Sequence, residues 1–256
     1  MEHRAPKIDL DNVIYGVHAV EEALAAGEAL RHIHVAQERQ RDPALRKIFE
    51  AARERQIRVR TEERKYFTQF PYKAHQGVVA FGAPFEYASI EDIVNAPRKG
   101  PLLIVVLDHI TDPHNAGAII RTAECAGAHG VIMPERRAAG VNATVRKAAA
   151  GAAGHIPIAR VSNVADTIRK LKKANVWVAG AALTENSVEY TKADFDRDIA
   201  IVIGAEGEGL SQLVARECDY VVRIPLLGET ESLNASVAAA ILLYEAVRQR
   251  ASSASA

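Results

Sequence analysis

The chain has 256 residues, of which 48% are hydrophobic and 25% charged, a composition typical of a soluble globular protein with one large or two modest domains. Its 32 Lys and Arg residues balance 32 Asp and Glu residues, so the formal net charge is zero. No apolar run is long enough to span a membrane, the amino terminus lacks a signal peptide's apolar region, and two cysteines with nine scattered histidines support neither a disulfide framework nor a metal site. We therefore expect a cytoplasmic protein that binds no metal and no membrane.

The first third of the chain has the pattern of a small α/β unit with an excess of positive charge. Helices are predicted at residues 17–26 and 43–55, and strands at residues 32–35, 57–60 and 78–81. Between Leu30 and His75 twelve Lys or Arg residues stand against six acids, a local charge of +6. A basic module in a neutral protein favours a polyanionic partner such as nucleic acid, although a solvated helix face also accounts for part of the charge.

Aromatic residues cluster near the end of this basic segment. Tyr66, Phe67, Phe70 and Tyr72 lie among Arg64, Lys65 and Lys73. Such a mixture can stack bases while the cations hold phosphates, and the same rings can equally form a core. Residues 84–100 then have the Pro, Gly and polar content of a connection. We therefore predict an amino-terminal domain at residues 1–83, a linker at 84–100 and a second domain at 101–256.

From Pro101 onward strands alternate with helices. Strands are predicted at residues 102–107, 131–133, 156–159, 176–181, 199–203 and 220–224, and helices at residues 116–126, 144–150, 164–173 and 210–216, with a last helix after Asn234. The run at 102–107 is continuously apolar, as expected of a strand buried on both faces of a parallel sheet. The alternation predicts an α/β fold whose mostly parallel sheet is covered by helices on both sides.

The first segment with chemical potential follows that buried strand, at LDHITDPHNAGAIIRTAECAGAHG. Asp112 and Pro113 end the strand, Asn115 is able to cap the next helix, and Gly117 leaves room for a close neighbour. Arg121 lies six residues beyond Asn115. An Arg near the amino end of a helix is disfavoured by the helix dipole, so it indicates either an anionic partner or an ordinary solvated side chain.

The second segment is IAIVIGAEGEGLS, a strand that runs into a glycine-rich turn. Gly204, Gly207 and Gly209 have the spacing GxxGxG, and the turn also contains Glu206 and Glu208. Carboxylates repel a pyrophosphate, so the turn suits a neutral or cationic ligand approached by bare backbone. This argues against a hydride-transfer cofactor.

The third segment is IPLLGETESLNASVAAAILLYE, from Ile224 to Glu245. It combines a strand end, a glycine turn and a helix start, where α/β proteins often bind ligands, although ordinary packing explains such a run equally well. Ser232, Asn234 and Ser236 offer hydroxyl and amide groups but no strong acid or base. No nucleophile elbow accompanies them, which argues against a covalent hydrolase.

Together, the segments NAGAIIRTAECAG, IVIGAEGEGLS and RIPLLGETESLNASVAAAILLYE resemble, in this order, motifs 1, 2 and 3 of the SPOUT methyltransferases of the TrmH type. The amino-terminal part resembles the L30e-like substrate-binding domain of the RlmB-type rRNA enzymes, so the resemblance covers nearly the whole chain. It implies a carboxyl-terminal SPOUT domain that contains a deep trefoil knot in its mostly parallel sheet, preceded by a small L30e-like α/β domain.

The resemblance implies S-adenosylmethionine as methyl donor and a ribose 2′-hydroxyl of RNA as acceptor, most similarly to enzymes that modify a guanosine of 23S rRNA. By position in the motifs, the expected functional residues are Asn115, Arg121, Glu206, Ser232 and Asn234, and the expected cofactor contacts are Gly204, Ile224 and Leu233, with Leu226 and Ser236 nearby. Arg121 matches an arginine proposed as the base. Because a guanidinium is scarcely deprotonated in proteins, our hypothesis is that Arg121 grips the target phosphate.

Two further expectations follow from the resemblance. Ala235 stands where the family usually has Val, a loss of one apolar contact that bears on cofactor affinity. Family members form homodimers that share the active site, and the apolar stripe of Val237, Ile241 and Tyr244 suits either that interface or the internal core. Two alternatives stay open at this point: a tRNA 2′-O-methyltransferase, and a non-catalytic RNA-binding or ribosome assembly protein of the same fold.

Overall fold

The computed structural model describes residues 13–70, 75–82, 85–207 and 209–253, which form two compact units that divide between Phe85 and Glu86. Within these ranges, no helix is both long enough and apolar enough to cross a membrane. The same part of the chain contains no cluster of three or more His, Cys, Asp or Glu side chains suited to a metal ion. Both cysteines are free.

In the described residues, the first unit is a four-stranded sheet with two α-helices. Its elements are β1 (Val13–Tyr15), α1 (Val17–Ala25), β2 (Leu30–Ala36), α2 (Arg46–Glu54), β3 (Arg58–Glu62) and β4 (Val78–Gly82). The strand order is β1-β4-β2-β3, with β2 and β3 parallel and the other pairs antiparallel. The predicted helix at 43–55 begins instead as a 3-10 turn at Pro43–Leu45, because Asp42 caps it by accepting the Ala44 N–H.

The aromatic cluster of this unit belongs largely to its core. Phe67 and Phe70 are buried together with Val13 and Val79, and Tyr66 packs against them. These two phenylalanines are therefore unavailable for base stacking, one of the two roles that their sequence position suggested. Tyr72 and Lys73 lie outside the described residues.

The second unit is built on a seven-stranded sheet. Its elements are α3 (Ile90–Val94), β5 (Leu103–Asp108), α4 (Pro113–Cys125), β6 (Gly130–Pro134), α5 (Ala143–Ala149), β7 (Ile158–Val161), α6 (Val164–Lys173), β8 (Trp177–Ala181), β9 (Val188–Glu189), β10 (Ile199–Gly204), α7 (Gln212–Glu217), β11 (Tyr220–Arg223) and α8 (Ala235–Ser253). The order is β7-β6-β5-β10-β8-β11-β9 and the neighbouring strands pair in parallel. Every residue of β5 and β10 is buried, as expected of central strands covered on both faces. The predicted α/β fold with a mostly parallel sheet is confirmed; the trefoil knot stays a prediction.

The segment that composition assigned to a linker packs onto this second unit. Ile93 of α3 is fully buried in the core, and Ala88 forms a parallel bridge with Ala159. α3 begins at a capping box in which Ser89 and Asp92 bond each other's backbone N–H. Pro and Gly content does not distinguish such a short packed segment from a free connection, because both need turns.

Helix α8 is anchored near its carboxyl end by one arginine. The Arg250 guanidinium donates to the backbone carbonyls of Pro101, Leu102, Phe195 and Arg197, which lie at or just before the starts of β5 and β10. Burial of the guanidinium lowers the pKa of Arg250. Along the helix, Ala239, Leu242, Leu243 and Ala246 are buried, whereas Val237 and Tyr244 are exposed. The ends of the predicted stripe therefore lie on the surface of the single chain.

Candidate active site

The three segments singled out in the sequence leave the sheet at the same edge. Across parallel pairs, Gly204 at the end of β10 is in register with Asp108 at the end of β5, and Ile203 with Ala181 at the end of β8. β11 ends beside β8. Because the carboxyl ends of parallel strands are where open α/β sheets place their ligands, this edge is the first place to search for a site.

Side chains from the three segments form a closed hydrogen-bonded triad of Asn115, Glu206 and Asn234. Nδ2 of Asn115 donates to Oε1 of Glu206. Nδ2 of Asn234 donates to the same oxygen at 2.7 Å and to Oδ1 of Asn115 at 3.0 Å. One carboxylate oxygen thus accepts two amide donors, which fixes the orientation of the Glu206 carboxylate.

Asn115 reaches the triad because another residue caps its helix. We expected Asn115 as the cap, but Oδ1 of Asp112 accepts the His114 N–H at 2.9 Å, and Pro113 is the first residue of α4. Asp is as good a cap as Asn, and Pro is favoured at the first helical position, so the helix begins three residues earlier than the expectation required. This leaves the buried side chain of Asn115 free to face Glu206.

Glu206 is held in a tight turn that needs glycine. Ala205 and Gly209 exchange backbone hydrogen bonds of 2.8 and 3.0 Å, and Gly207 and Gly209 have φ angles of 79° and 67°. A Cβ atom on Gly204 would lie only 2.2 Å from the carbonyl carbon of Gly209. The turn therefore folds directly over the end of β10 and presents bare backbone beside the Glu206 side chain. Glu208 lies outside the described residues.

Asn234 has two functions at the start of α8. Its Oδ1 accepts the Ser236 N–H at 2.9 Å and the Ser236 hydroxyl at 2.6 Å, while its Nδ2 serves the triad. Asn234 is thus the cap of α8. Ser236 supports Asn234 and is not part of the cavity wall described next.

A cavity of about 420 Å³ lies beside the triad. Its wall contains four of the five expected cofactor contacts, Gly204, Ile224, Leu226 and Leu233, together with Ser232, Glu206 and Ala235. The segment Ala181 to Thr184, which follows β8, also lines it and was missed in the sequence. The sequence indicates this segment only indirectly: β8 pairs with β10 in parallel, so the residues that follow β8 lie at the same edge of the sheet as those that follow β10.

A second cavity of about 580 Å³ shares Ala205 and Glu206 with the first. It is lined in addition by His109, Ile110, Thr111, Asp112, Asn115, Arg137 and Ser211. The fully buried Asp108 shapes this wall, because its carboxylate accepts the Ser211 N–H at 2.8 Å and contacts Nδ1 of His109 at 2.6 Å. His109 was not singled out in the sequence; an Asp–His pair that ends a wholly apolar strand was the available signal for it.

Arg121 is not brought to the triad within one chain. It is exposed on α4, and its side chain makes no hydrogen bond and no ion pair in the described part of the chain. Six residues separate it from Asn115, which corresponds to about 9 Å along the helix axis and places the two side chains on different faces. The structure therefore unites Asn115, Glu206 and Asn234, puts Ser232 on the first cavity's wall, and leaves Arg121 apart.

Comparisons with known proteins bear on both units. Residues 102–244 match the model of the SpoU rRNA Methylase family. Residues 13–88 match a second model, described as RNA 2′-O ribose methyltransferase substrate binding. The first match covers more than half of the chain and includes all three members of the triad.

Relatives with similar sequences extend over both matched regions. A protein of Staphylococcus haemolyticus that carries the name of the TrmH family of tRNA/rRNA methyltransferases is 42% identical over 242 residues, which cover 94% of this chain and 96% of the relative.

Solved structures of RNA-modifying enzymes are similar in fold. The SpoU methyltransferase AviRb from Streptomyces viridochromogenes, in complex with the cofactor AdoMet, has a TM-score of 0.62 and 27% identity and covers 94% of this chain and 90% of its own. An AdoMet-bound rRNA methyltransferase from Sinorhizobium meliloti has a TM-score of 0.59 and 29% identity, with 93% and 87% covered. A TrmH/SpoU tRNA modifying enzyme of A. aeolicus has a TM-score of 0.56 and 28% identity, with 64% and 82% covered. The chain therefore belongs to the SpoU rRNA methylase family of TrmH-type RNA methyltransferases.

Proposed function

We propose that the protein transfers the methyl group of S-adenosylmethionine to the ribose 2′-hydroxyl of an RNA nucleotide, and that this nucleotide is a guanosine of 23S rRNA. The observation that carries the proposal is the triad of Asn115, Glu206 and Asn234 at the boundary of two cavities. Methyl transfer requires the sulfur of the donor and the hydroxyl oxygen of the acceptor to lie in line on opposite sides of the methyl group. Glu206 borders both cavities, so a donor in one and an acceptor in the other would meet beside it.

The first cavity has the properties that S-adenosylmethionine requires. Its volume of about 420 Å³ lies in the range of small-molecule sites. Ile203, Leu226 and Leu233 supply apolar wall, and the backbone of the glycine turn is exposed to a ligand. When bound, the cofactor supplies a methyl group on a cationic sulfur, whose charge is complementary to the Glu206 and Glu231 carboxylates on the wall. We assign Gly204, Ile224, Leu226 and Leu233 as direct contacts, with Ser236 acting through Asn234.

The second cavity is the candidate acceptor side. His109 and Arg137 offer hydrogen-bond donors there, and Arg137 adds a positive charge for RNA phosphate. The two asparagine amides hold the Glu206 carboxylate in a fixed orientation. We assign to Glu206 the orientation of the ribose hydroxyl, with Ser232 as a further polar contact on the donor side, while the hydroxyl proton leaves to RNA phosphate or water.

Arg121 enters this scheme through a second copy of the chain. Its side chain does not reach the triad of its own chain, while Val237 and Tyr244 leave apolar surface exposed on α8. We propose a homodimer in which Arg121 of one protomer completes the site of the other and grips the phosphate of the target nucleotide.

An rRNA substrate is favoured over a tRNA substrate by the extent of the similar structures. The rRNA methyltransferase of Sinorhizobium meliloti covers 93% of this chain, whereas the tRNA modifying enzyme of A. aeolicus covers 64%. The region matched by the substrate-binding model, residues 13–88, makes up most of the first unit. A whole additional unit for substrate suits a large structured RNA.

The test is methyl transfer from labelled S-adenosylmethionine to purified 23S rRNA and, separately, to bulk tRNA, each taken from cells that lack this modification. We expect label on rRNA, recovered after nuclease digestion as 2′-O-methylguanosine. Label on tRNA alone would refute the rRNA assignment, and a labelled base in place of a labelled ribose would refute the 2′-hydroxyl as acceptor. Cofactor binding without transfer to either RNA or to precursor ribosomal particles would support the non-catalytic alternative.

A further inference from the structure

We propose that one face of the first unit's sheet binds single-stranded RNA, with phosphates on Arg58 and Arg60 and a base against the ring of His32. The proposal rests on the RNA methyl transfer proposed above. It assigns a surface for RNA to the first unit, whereas the active-site residues assigned above belong to the second.

Strand registers place this set of side chains together. His32 is in register with Arg58, and His34 with Arg60, across the parallel pair of β2 and β3. His32 is also in register with Phe81 of β4. Because partners in register point to the same face of a sheet, these five side chains share one face, which we call the basic face. The residues between them in sequence, such as Ile33 and Ala80, point the other way and are fully buried.

Aromatic rings on the basic face form a continuous row from the core to the surface. Tyr66 stacks on the buried His34 with ring centroids 4.9 Å apart, His34 lies 4.8 Å from His32, and His32 stacks on Phe81 at 4.5 Å. His32 and Phe81 are only half-buried. Burial, with the neighbouring charges of Arg60, Arg31 and Arg58, lowers the pKa of His32, so its ring is neutral at pH 7. A half-exposed neutral ring held rigidly by other rings is a suitable stacking platform for a base.

A β-bulge adds a third arginine to the same place. The register of β2 against β4 shifts between Leu30 and His32, which leaves Arg31 without a partner residue on β4. Bulges redirect side chains, and Arg31 lines a cavity of about 400 Å³ together with His32, Gln56, Arg58 and Arg60. Three guanidinium groups and the platform ring thus border one surface cavity.

The guanidinium groups of Arg31, Arg58 and Arg60 make no hydrogen bond and no ion pair in the described part of the chain. Arg39 and Arg46 of the same unit, in contrast, pair with Asp42 and Glu50. The cavity wall contains no acid, although Glu62 follows Arg60 on the same face. Like charges that converge there repel one another, and an anion in the cavity relieves that repulsion. The arrangement therefore calls for an anionic ligand.

The geometry selects RNA among anions. Arg58 and Arg60 are two residues apart on one strand, so they repeat at roughly 6.8 Å along it and can hold successive groups of an extended polyanion. A guanidinium fork binds a phosphate through two parallel hydrogen bonds. The adjacent stack of His32 and Phe81 provides the flat apolar surface that a base needs and that a simple phosphate does not use.

The test compares the full chain with the double variant Arg58→Gln/Arg60→Gln. Binding of a short, unstructured, fluorescent single-stranded RNA is measured against salt concentration, with binding of S-adenosylmethionine and steady-state methylation of 23S rRNA as further readouts. We expect the Kd for RNA to rise by about tenfold at 0.1 M salt, and the slope of log K against log salt to fall by about 1.4, since each single-strand phosphate contact contributes roughly 0.7. KM for rRNA rises, while kcat and cofactor affinity stay unchanged.

The matched control removes two positive charges from α2 through Arg46→Gln/Arg53→Gln, at exposed positions of the same unit. It should alter RNA affinity by less than about twofold at this salt concentration. The proposal is overturned if the two double variants lose affinity equally, if the first behaves as the unchanged protein, or if the unchanged protein binds no single-stranded RNA.

Two more variants define the roles. Arg58→Lys/Arg60→Lys keeps the charges but not the forks, so it should restore the salt slope while affinity stays reduced. His32→Ala should weaken RNA binding without any change in the salt slope; an unchanged affinity would remove the stacking role. If no RNA is methylated while Arg58→Gln/Arg60→Gln still raises the Kd for RNA by about tenfold, the proposed methyl transfer would be refuted and the RNA-binding role of the basic face would be supported.

Discussion

Glu206 is the residue at which the three sequence segments meet. One of its oxygens accepts amide hydrogens from Asn115 and Asn234, and its side chain borders both cavities. Hydrogen bonds to a charged acceptor are worth about 1.5–3 kcal/mol, more than those between neutral groups. We therefore expect methylation activity to depend on the charge of this carboxylate more than on its shape.

Replacement of Glu206 by Gln tests that statement at constant size. We expect kcat/KM for rRNA to fall about 10- to 100-fold, because 1.36 kcal/mol corresponds to a factor of ten, and the free energy of unfolding to fall by no more than about 1.5–3 kcal/mol. Methylation kinetics and thermal unfolding are measured on the same preparation. Glu229→Gln, an exposed position in the loop before α8, is the control and should retain full activity. Full activity of Glu206→Gln would exclude a role for the charge.

His34 of the first unit gives stability a dependence on pH. The ring is buried against Tyr66, both nitrogens lack a hydrogen-bond partner, and Oε1 of Glu62 lies 3.2 Å from Nδ1 without the alignment of a hydrogen bond. Burial, with smaller contributions from His32 and Arg60, lowers the pKa of His34 to about 4. Between pH 6.5 and 4 the unfolded chain therefore binds a proton that the folded chain does not, and stability falls as the pH falls through this window.

The full effect of His34 is on the order of 3 kcal/mol, from about 1.4 kcal/mol for each unit of pKa. Thermal unfolding followed by far-ultraviolet circular dichroism from pH 7 to pH 4.5 should show a steeper loss for the unchanged protein than for His34→Phe. Parallel curves for the two proteins would mean that His34 titrates normally in the folded state.

At the scale of elements, α4 and α5 approach each other closely at a glycine. A Cβ atom on Gly117 would lie 2.4 Å from Cβ of Ala148 and 2.7 Å from the carbonyl oxygen of Val145. Alanine is a better helix former than glycine by about 1 kcal/mol, so propensity and packing oppose each other at this position. Contacts under 3 Å with backbone require the helices to separate. We therefore expect the packing cost to exceed the gain in helix propensity, so that a Cβ atom at this position lowers stability.

We therefore expect Gly117→Ala to reduce the free energy of unfolding by about 1–3 kcal/mol, the usual cost of overpacking. Urea unfolding followed by tryptophan fluorescence is specific to the second unit, because Trp177 is the single tryptophan of the chain. The double variant Gly117→Ala/Ala148→Gly removes one of the two clashes and should recover part of the loss. A stabilised Gly117→Ala variant would show that the helices adjust freely.

The elements show where prediction from sequence succeeded and where it stopped. Buried strands such as β5 and β10 were recognisable because short, continuous apolar runs bounded by turns are typical of strands covered on both faces. The start of α4 was misplaced because Asp112, Pro113 and Asn115 all suit a helix start, and local preference cannot rank caps that differ by a few tenths of a kcal/mol. The wall at Ala181 to Thr184 contains little polar chemistry, so only the pairing of β8 with β10 identifies it.

At the scale of the whole molecule, the position of β10 decides the site. β10 lies between β5 and β8, although β6, β7, β8 and β9 separate it from β5 in sequence. Composition and periodicity contain no information about that order; the motif resemblance implied it, since it names an entire fold. The resemblance also assigned Arg121 to the active site, but within one chain its side chain lies apart from the triad, and the homodimer proposed above is our explanation.

The shared site of the proposed homodimer has a specific test. Two differently tagged chains, one with Arg121→Ala and one with Asn234→Ala, are produced together and the mixed dimer is isolated through both tags. A dimer that shares its sites has one intact site and one doubly altered site, so activity should be about half that of the unchanged dimer. Each variant alone should be nearly inactive. An inactive mixed dimer would show that Arg121 and Asn234 act in the site of the same chain. Sedimentation of the unchanged protein as a monomer would refute the proposed homodimer.

The double function of Asn234 makes the start of α8 an internal reporter of ligand binding. Its Oδ1 holds the N–H of Ser236 while its Nδ2 holds Glu206, so the first helical turn cannot open without loss of the triad. A ligand that binds only the assembled triad must therefore slow deuterium uptake by the Ser236 and Val237 amides by the factor 1 + [L]/Kd. Amide exchange in that turn should measure cofactor affinity without any RNA, and exchange that is unaffected by saturating cofactor would show that helix and triad assemble independently.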